Sequence, residues 1–177
     1  MKLLLKTSLI ILLSHLLGCT EEEPNQKIKM TFELRDDAGN RKTDFQSGEN
    51  FHFRFVIKNL SKKNIEYQSG FVDENFFSVI KLDTSEGDIY MGQPYENVFC
   101  TFFGTQFIIQ PDEEQLFEIP WIPSEDFCCP PFCIINKDNE LLTTGKYKTT
   151  VKGSFQFIQE ETTFTIDEDF EIVFEFN

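Results

Sequence analysis

The 177-residue chain carries 16 lysines and arginines against 30 aspartates and glutamates, a formal net charge of −14. Such a surface repels phosphate backbones and anionic headgroups, which argues against nucleic acid as a partner and against electrostatic docking on a membrane. Ala38 is the one alanine beside 21 phenylalanines; alanine is the best helix former and aromatic residues favour strands, so composition points to an all-β protein.

The chain begins with an export signal. Lys2 and Lys6 frame an apolar run that ends in Leu16-Leu17-Gly18-Cys19. From Thr7 to Leu17 the run is far shorter than the roughly 20 residues that cross a bilayer, and it has no polar face to make an amphipathic helix. Its last four residues resemble the lipobox of bacterial lipoproteins. That resemblance implies cleavage before Cys19 and acylation of Cys19 on sulfur and nitrogen, an anchor that holds stably because it carries more than one chain. Residues 1–18 are then a cleaved signal peptide, and residues 19–26 are the lipidated cysteine and a short acidic tether. Glu21-Glu22-Glu23 resembles the surface-export signal of Bacteroidetes-type lipoproteins, a plain hydrophilic spacer being the other reading. Thr20 stands where many lipoproteins retained at an inner membrane carry aspartate. These resemblances imply a lipid-anchored protein of the cell envelope, at the outer membrane on its periplasmic or surface leaflet.

Residues 27–177 have the size of one domain, and their pattern is that of half-buried strands. In Ile28-Lys29-Met30-Thr31-Phe32-Glu33-Leu34-Arg35 every even position is apolar and every odd one polar. Turn residues at 36–40 and 47–50 lead to Phe51, Phe53, Phe55 and Ile57, which alternate with His52, Arg54 and Lys58. Further strands are expected at 64–68, 76–82, 88–91, 98–109 and 115–121, with Phe117, Ile119 and Trp121 inward. Tyr147, Thr149, Val151, Gly153, Phe155 and Phe157 share one face of a later strand, and the chain closes with Phe164-Ile166 and then with Phe170, Ile172, Phe174 and Phe176. About eight or nine short strands with no helical period predict an antiparallel, immunoglobulin-like β-sandwich. Phe76-Phe77 and Phe102-Phe103 break the alternation, so one ring of each pair must leave the core unless a bulge or a neighbouring hairpin covers it.

Three pieces resemble BsuPI-like domains, named for a bacterial intracellular proteinase inhibitor. They are Phe45 to Phe53 with Ile57-Lys58-Asn59, then Ile109 to Glu114 leading to Trp121, where Asp112 replaces a usual glycine, and Leu142-Thr143-Thr144-Gly145-Lys146-Tyr147. The resemblance implies a fold and leaves function open. The Leu-x-x-Gly-x-Tyr pattern gives Tyr147 a structural role, packing its ring at a strand entrance and bonding a corner backbone through its hydroxyl.

With Cys19 committed to lipid, Cys100, Cys128, Cys129 and Cys133 form an even set in an oxidising compartment. Adjacent Cys128-Cys129 and the lack of paired C-x-x-C knuckles disfavour a zinc site, so disulfides are expected. Three pairings are possible; one bridge from Cys100 to the 128–133 loop and a second within that loop is favoured. Such bridges would stiffen the Pro130-Pro131 segment for recognition. His52, the sole histidine after the signal segment, stands on the polar face of a strand and no Gly-x-Ser-x-Gly elbow is present, so catalysis is not expected. The clusters Asp36-Asp37, Asp112-Glu113-Glu114, Asp138-Asn139-Glu140 and Asp167-Glu168-Asp169 offer oxygen ligands, but none matches a twelve-residue calcium loop; they read as solvated turn acids. The sequence therefore predicts a tethered, disulfide-bearing binding module without catalysis, metal or cofactor. It would hold an envelope protein partner while the membrane is engaged through Cys19; a proteinase inhibitor that uses the Cys128–Cys133 loop is the alternative.

Overall fold

A computed structural model of the chain describes residues 27–68, 70, 72, 76–82, 85, 87–95, 106–124, 127 and 138–177. Cys19 with the whole of segment 1–26, and Cys100, Cys128, Cys129 and Cys133, lie outside the described residues, as do Phe102-Phe103.

Among the described residues ten strands follow one another: β1 (Ile28–Arg35), β2 (Asp44–Phe45), β3 (His52–Asn59), β4 (Ile65–Gln68), β5 (Ser78–Lys81), β6 (Ile89–Gly92), β7 (Gln106–Ile109), β8 (Glu114–Pro120), β9 (Gly145–Gln159) and β10 (Thr162–Phe176). They form two sheets, β1-β3-β8 and β2-β10-β9-β4-β7, with β5 and β6 continuing the second beside the other half of β9. Alternation dictates the packing. Ile28, Met30 and Leu34 of β1, Phe53, Phe55 and Ile57 of β3, and Phe117 and Ile119 of β8 are buried against Tyr67, Tyr147, Val151, Phe155, Phe157, Phe174 and Phe176 of the second sheet. Phe55 sits between the layers, its ring centroid 5.6 Å from that of Phe155, 5.4 Å from Phe170 and 6.1 Å from Phe117.

Two features place the sandwich in the immunoglobulin-like class. After β1 the chain crosses to the second sheet, where β2 lies parallel to the end of β10 (Glu175 beside Asp44, Phe176 beside Phe45), and then returns to the first as β3. At the entrance of β9, the Tyr147 hydroxyl donates to the Thr143 carbonyl at 2.9 Å, the corner expected from the Leu142 to Tyr147 pattern.

The Phe76-Phe77 pair is resolved by an insertion. β4 and β5 both run antiparallel to β9, and the twelve residues from Tyr67 to Ser78 span what β9 covers in eight, from Phe157 back to Thr150. Phe77 takes a left-handed φ of 61°, which breaks the alternation and points both rings inward. Phe76 packs at 5.7 Å from Phe55, and Phe77 stacks on Phe53 at 4.9 Å and on Phe32 at 5.5 Å.

Phe164 to Phe176 falls in one strand of 15 residues, Thr162–Phe176, where two short ones were expected. Asp167-Glu168-Asp169 is polar yet keeps the period-two phase, so pairing with β9 continues without a shift from Thr162↔Gln159 to Phe176↔Gly145. The β9–β10 turn is made by Glu160 (φ 49°) and Glu161 (φ 65°), both left-handed, at positions that favour Asn-Gly.

The Thr149 hydroxyl is fully buried between Tyr147 and Val151 on the core face of β9, with no hydrogen-bond partner among the described residues. A buried hydroxyl without a partner opposes folding. Thr149→Val keeps the shape and removes the group, so the variant should unfold at higher temperature, by about 1 kcal/mol of added stability; a lowered midpoint in thermal unfolding would contradict the burial.

Candidate functional site

Among the described residues the long hairpin leaves most of the outer edge of β10 without a neighbouring strand, and the outer sides of β7 and β6 are likewise unpaired. β2 covers β10 at Glu175 and Phe176, and from Thr162 to Phe174 no described residue pairs with that edge. The Glu175 amide donates to the Thr43 carbonyl at 2.9 Å, which fixes the odd residues of β10 as those whose backbone groups face outward along the edge. The unbroken register then gives the same direction to Thr163, Thr165, Asp167, Asp169, Glu171 and Val173. A row of unpaired amides and carbonyls is a template for another strand.

The two faces of β10 differ. On its core face Phe164, Ile166, Phe170 and Ile172 are only half-buried, packed against the core. Phe164 stacks on Phe157 at 5.6 Å, and the Lys27 ammonium lies 5.3 Å from the Phe164 ring centroid. Glu168 shares this face and is exposed, an inward charge of the kind that blocks indiscriminate edge pairing. On the opposite face, Asp167, Asp169, Glu171 and Glu175 make an acidic row. The neighbouring strand answers with lysines: Lys146 lies opposite Glu175 and Lys152 opposite Asp169, while the Lys148 ammonium is 3.8 Å from Glu171. Cross-strand opposite charges stabilise such a ladder.

His52 and the acidic clusters, which the sequence does not mark as sites, make local contacts. His52 is on the polar face of β3, its Nε2 3.1 Å from the Asp37 carboxylate. Asp36 accepts from the Asn40 amide at 2.8 Å and from its side chain, bonds that hold the Asp36 carboxyl below the usual carboxylate range. Asp112 occupies the left-handed corner (φ 64°) before β8, where Glu113 caps Gln110 and Glu114 pairs with Lys58. Asp36, Asp112 and Glu113 lie between strands as turn residues, as expected, and Glu114 opens β8; Asp167-Glu168-Asp169 instead lies in the middle of a strand. Glu49, in the turn before β3, accepts the Lys42 ammonium at 2.6 Å and the Gln46 amide at 2.8 Å, and both bonds lower its pKa.

Two clefts add little chemistry. One of about 470 Å³ is lined by Lys27, Ser61, Lys62, Lys63 and Glu160, and Lys63 is bonded to Glu160. The other, about 350 Å³, lies beside Trp121 and Asn139; the Trp121 indole donates to the Glu140 carbonyl at 2.8 Å and the Asn139 amide holds the carbonyls of Gln93 and Trp121. The described residues contain no cluster of three or more histidine, cysteine, aspartate or glutamate side chains that could hold a metal ion. The open edge went unmarked by the sequence reading, although the even phase of apolar residues from Phe164 to Phe176 was the signal that would have shown one long strand.

No family model and no curated protein matches the chain. Solved structures similar to it include the ASH/PapD-like domain 7 of human CEP192, with 10% identity and a TM-score of 0.43, covering 92% of this chain and 94% of that domain. A putative ApaA protein from Bordetella pertussis is similar at 12% identity and a TM-score of 0.37, over 84% of this chain and 93% of that one.

Proposed function

We propose that the protein is a lipid-anchored lipoprotein of the cell envelope, a non-catalytic binding or accessory module that holds a protein partner at the open edge of β10. The edge is the observation behind the reading: a run of backbone donors and acceptors beside half-buried rings suits capture of another chain. Leu16-Leu17-Gly18-Cys19 supports the anchor. Lys27 directly precedes β1 and reaches Phe164, so the tether would leave the domain at the Thr162 end of the edge. Residues 19–26 reach at most about 29 Å when extended, so capture would occur close to the membrane.

Feeding cells an alkyne analogue of palmitate tests the anchor. The wild-type protein should take the label and sediment with membranes, and Cys19→Ser should lose both. Unlabelled wild-type protein that still carries residues 1–18 would overturn the lipoprotein reading. The BsuPI-like resemblance and the Cys128-Cys129-Pro130-Pro131-Phe132-Cys133 run motivate the second reading, a proteinase inhibitor; undiminished turnover by a panel of proteases at excess protein would remove it.

A further inference from the structure

We infer that the occupant of the β10 edge is an extended segment of a partner protein with lysine or arginine at alternate positions, added to the second sheet as a further strand. The inference rests on the binding reading above and names the partner's chemistry.

The protein itself shows what an acidic β10 pairs with. Along the outer face, β9 sets Lys146, Lys148 and Lys152 beside the row Asp167, Asp169, Glu171 and Glu175. A strand on the other side of β10 meets the same acids, so a basic segment repeats the pairing already present while an acidic one meets like charges directly opposite. The partner's remaining alternate side chains would lie on the core-facing side of β10, beside Phe164, Ile166, Phe170 and Ile172, which are half-buried. Apolar residues fit there, except opposite Glu168.

Charge also decides against the nearer candidates. The chain's own residues 19–26 carry Glu21-Glu22-Glu23 and no cation. A second copy aligned edge to edge would confront the acidic row with itself and bring Glu168 of each copy to the shared inner face. An anionic membrane is repelled for the same reason. Outward amides and carbonyls at Thr163, Thr165, Asp167, Asp169, Glu171 and Val173 supply the main-chain bonds, so affinity would depend on backbone as well as charge.

The test uses the full chain in zwitterionic detergent and three synthetic peptides of equal length: alternating Lys-Val, alternating Glu-Val, and Lys-Val N-methylated at every second residue. The Lys-Val peptide should bind with an anisotropy change, slow amide exchange at Thr165, Asp167, Asp169 and Glu171, and weaken with salt. Glu-Val and the N-methylated peptide should bind at least about tenfold less well. The double variant Asp167→Lys, Asp169→Lys should lose Lys-Val binding by a similar factor while still unfolding cooperatively, at a midpoint lowered only by the loss of the Asp169 pairing with Lys152. Equal binding of the N-methylated peptide, or binding without amide protection on β10, would overturn strand addition. Absence of Lys-Val binding, with a protein partner still crosslinked through Thr165 in cells, would overturn the basic occupant and leave the binding reading standing; absence of both would overturn both.

Discussion

Phe55→Ala should lower the stability of the domain by about 3–5 kcal/mol, the range for removing a fully buried phenylalanine. Phe55 is 0% exposed and contacts rings from both layers: Phe117 in its own sheet, Phe76 in the insertion before β5, and Phe155 and Phe170 in the long hairpin. Stacked and edge-to-face pairs add to the area buried, and the aromatic neighbours are too rigid to collapse into the space left behind. Domains of this size hold about 5–15 kcal/mol in total, so the variant should stand at the margin of folding. Denaturant unfolding followed by the fluorescence of Trp121, the chain's one tryptophan, reads the effect, because Trp121 is buried against Phe51. Phe55→Leu should recover part of the loss. A change under about 1 kcal/mol in Phe55→Ala would mean that the two sheets do not meet at this ring.

Asn59→Ala should cost about 2–3 kcal/mol without creating a large cavity. Asn59, at the end of β3, is fully buried, and its side-chain amide donates to the Lys63 carbonyl at 2.8 Å and the Ile109 carbonyl at 2.9 Å. Its side-chain oxygen accepts from the Ser61 amide at 2.9 Å and the Ser61 hydroxyl at 2.8 Å, and its backbone bonds Glu113 and Asp112. One side chain thus ties the first sheet to the β3–β4 turn and to β7 in the second. Alanine strands the Ile109 carbonyl inside the protein, and a buried acceptor without a donor is what makes the loss exceed one ordinary hydrogen bond. Asn59→Asp keeps the acceptor and deletes both donations, so it should destabilise at least as much at neutral pH; equal midpoints for wild type and Asn59→Asp would remove the amide from this role.

The strands that were legible in the sequence are those whose two faces differ along most of their length. β1 falls on Ile28–Arg35 as its strict alternation requires, and β3 on His52–Asn59 from an alternation that Val56 interrupts. Tyr147 was legible because its corner needs a fixed local pattern. What was hidden depends on contacts far along the chain. The inward turn of both Phe76 and Phe77 comes from the four-residue excess of the β4–β5 path over β9, which local alternation does not contain. The β9–β10 turn is hidden because Glu160-Glu161 carries none of the usual left-handed formers; the length of the hairpin imposes the conformation. β2 is two residues long and has no period to read. That β10 stays uncovered over most of its length is a property of pairing as a whole, since it rests on β2 ending its cover at Glu175 and Phe176. The cysteine reading lies outside the described residues.

The proposed role of the domain is to capture a partner along β10 while it is held near a membrane. The direct measurement is photocrosslinking in living cells, with a benzoylphenylalanine placed singly at Thr165 on the open edge or at Glu66, on the outer face of the interior strand β4. The account predicts one discrete adduct from Thr165, none of comparable yield from Glu66, and loss of the Thr165 adduct when Asp167→Lys and Asp169→Lys are introduced together. Equal adducts from both positions, or none from Thr165 in protein that is anchored and folded, would contradict it.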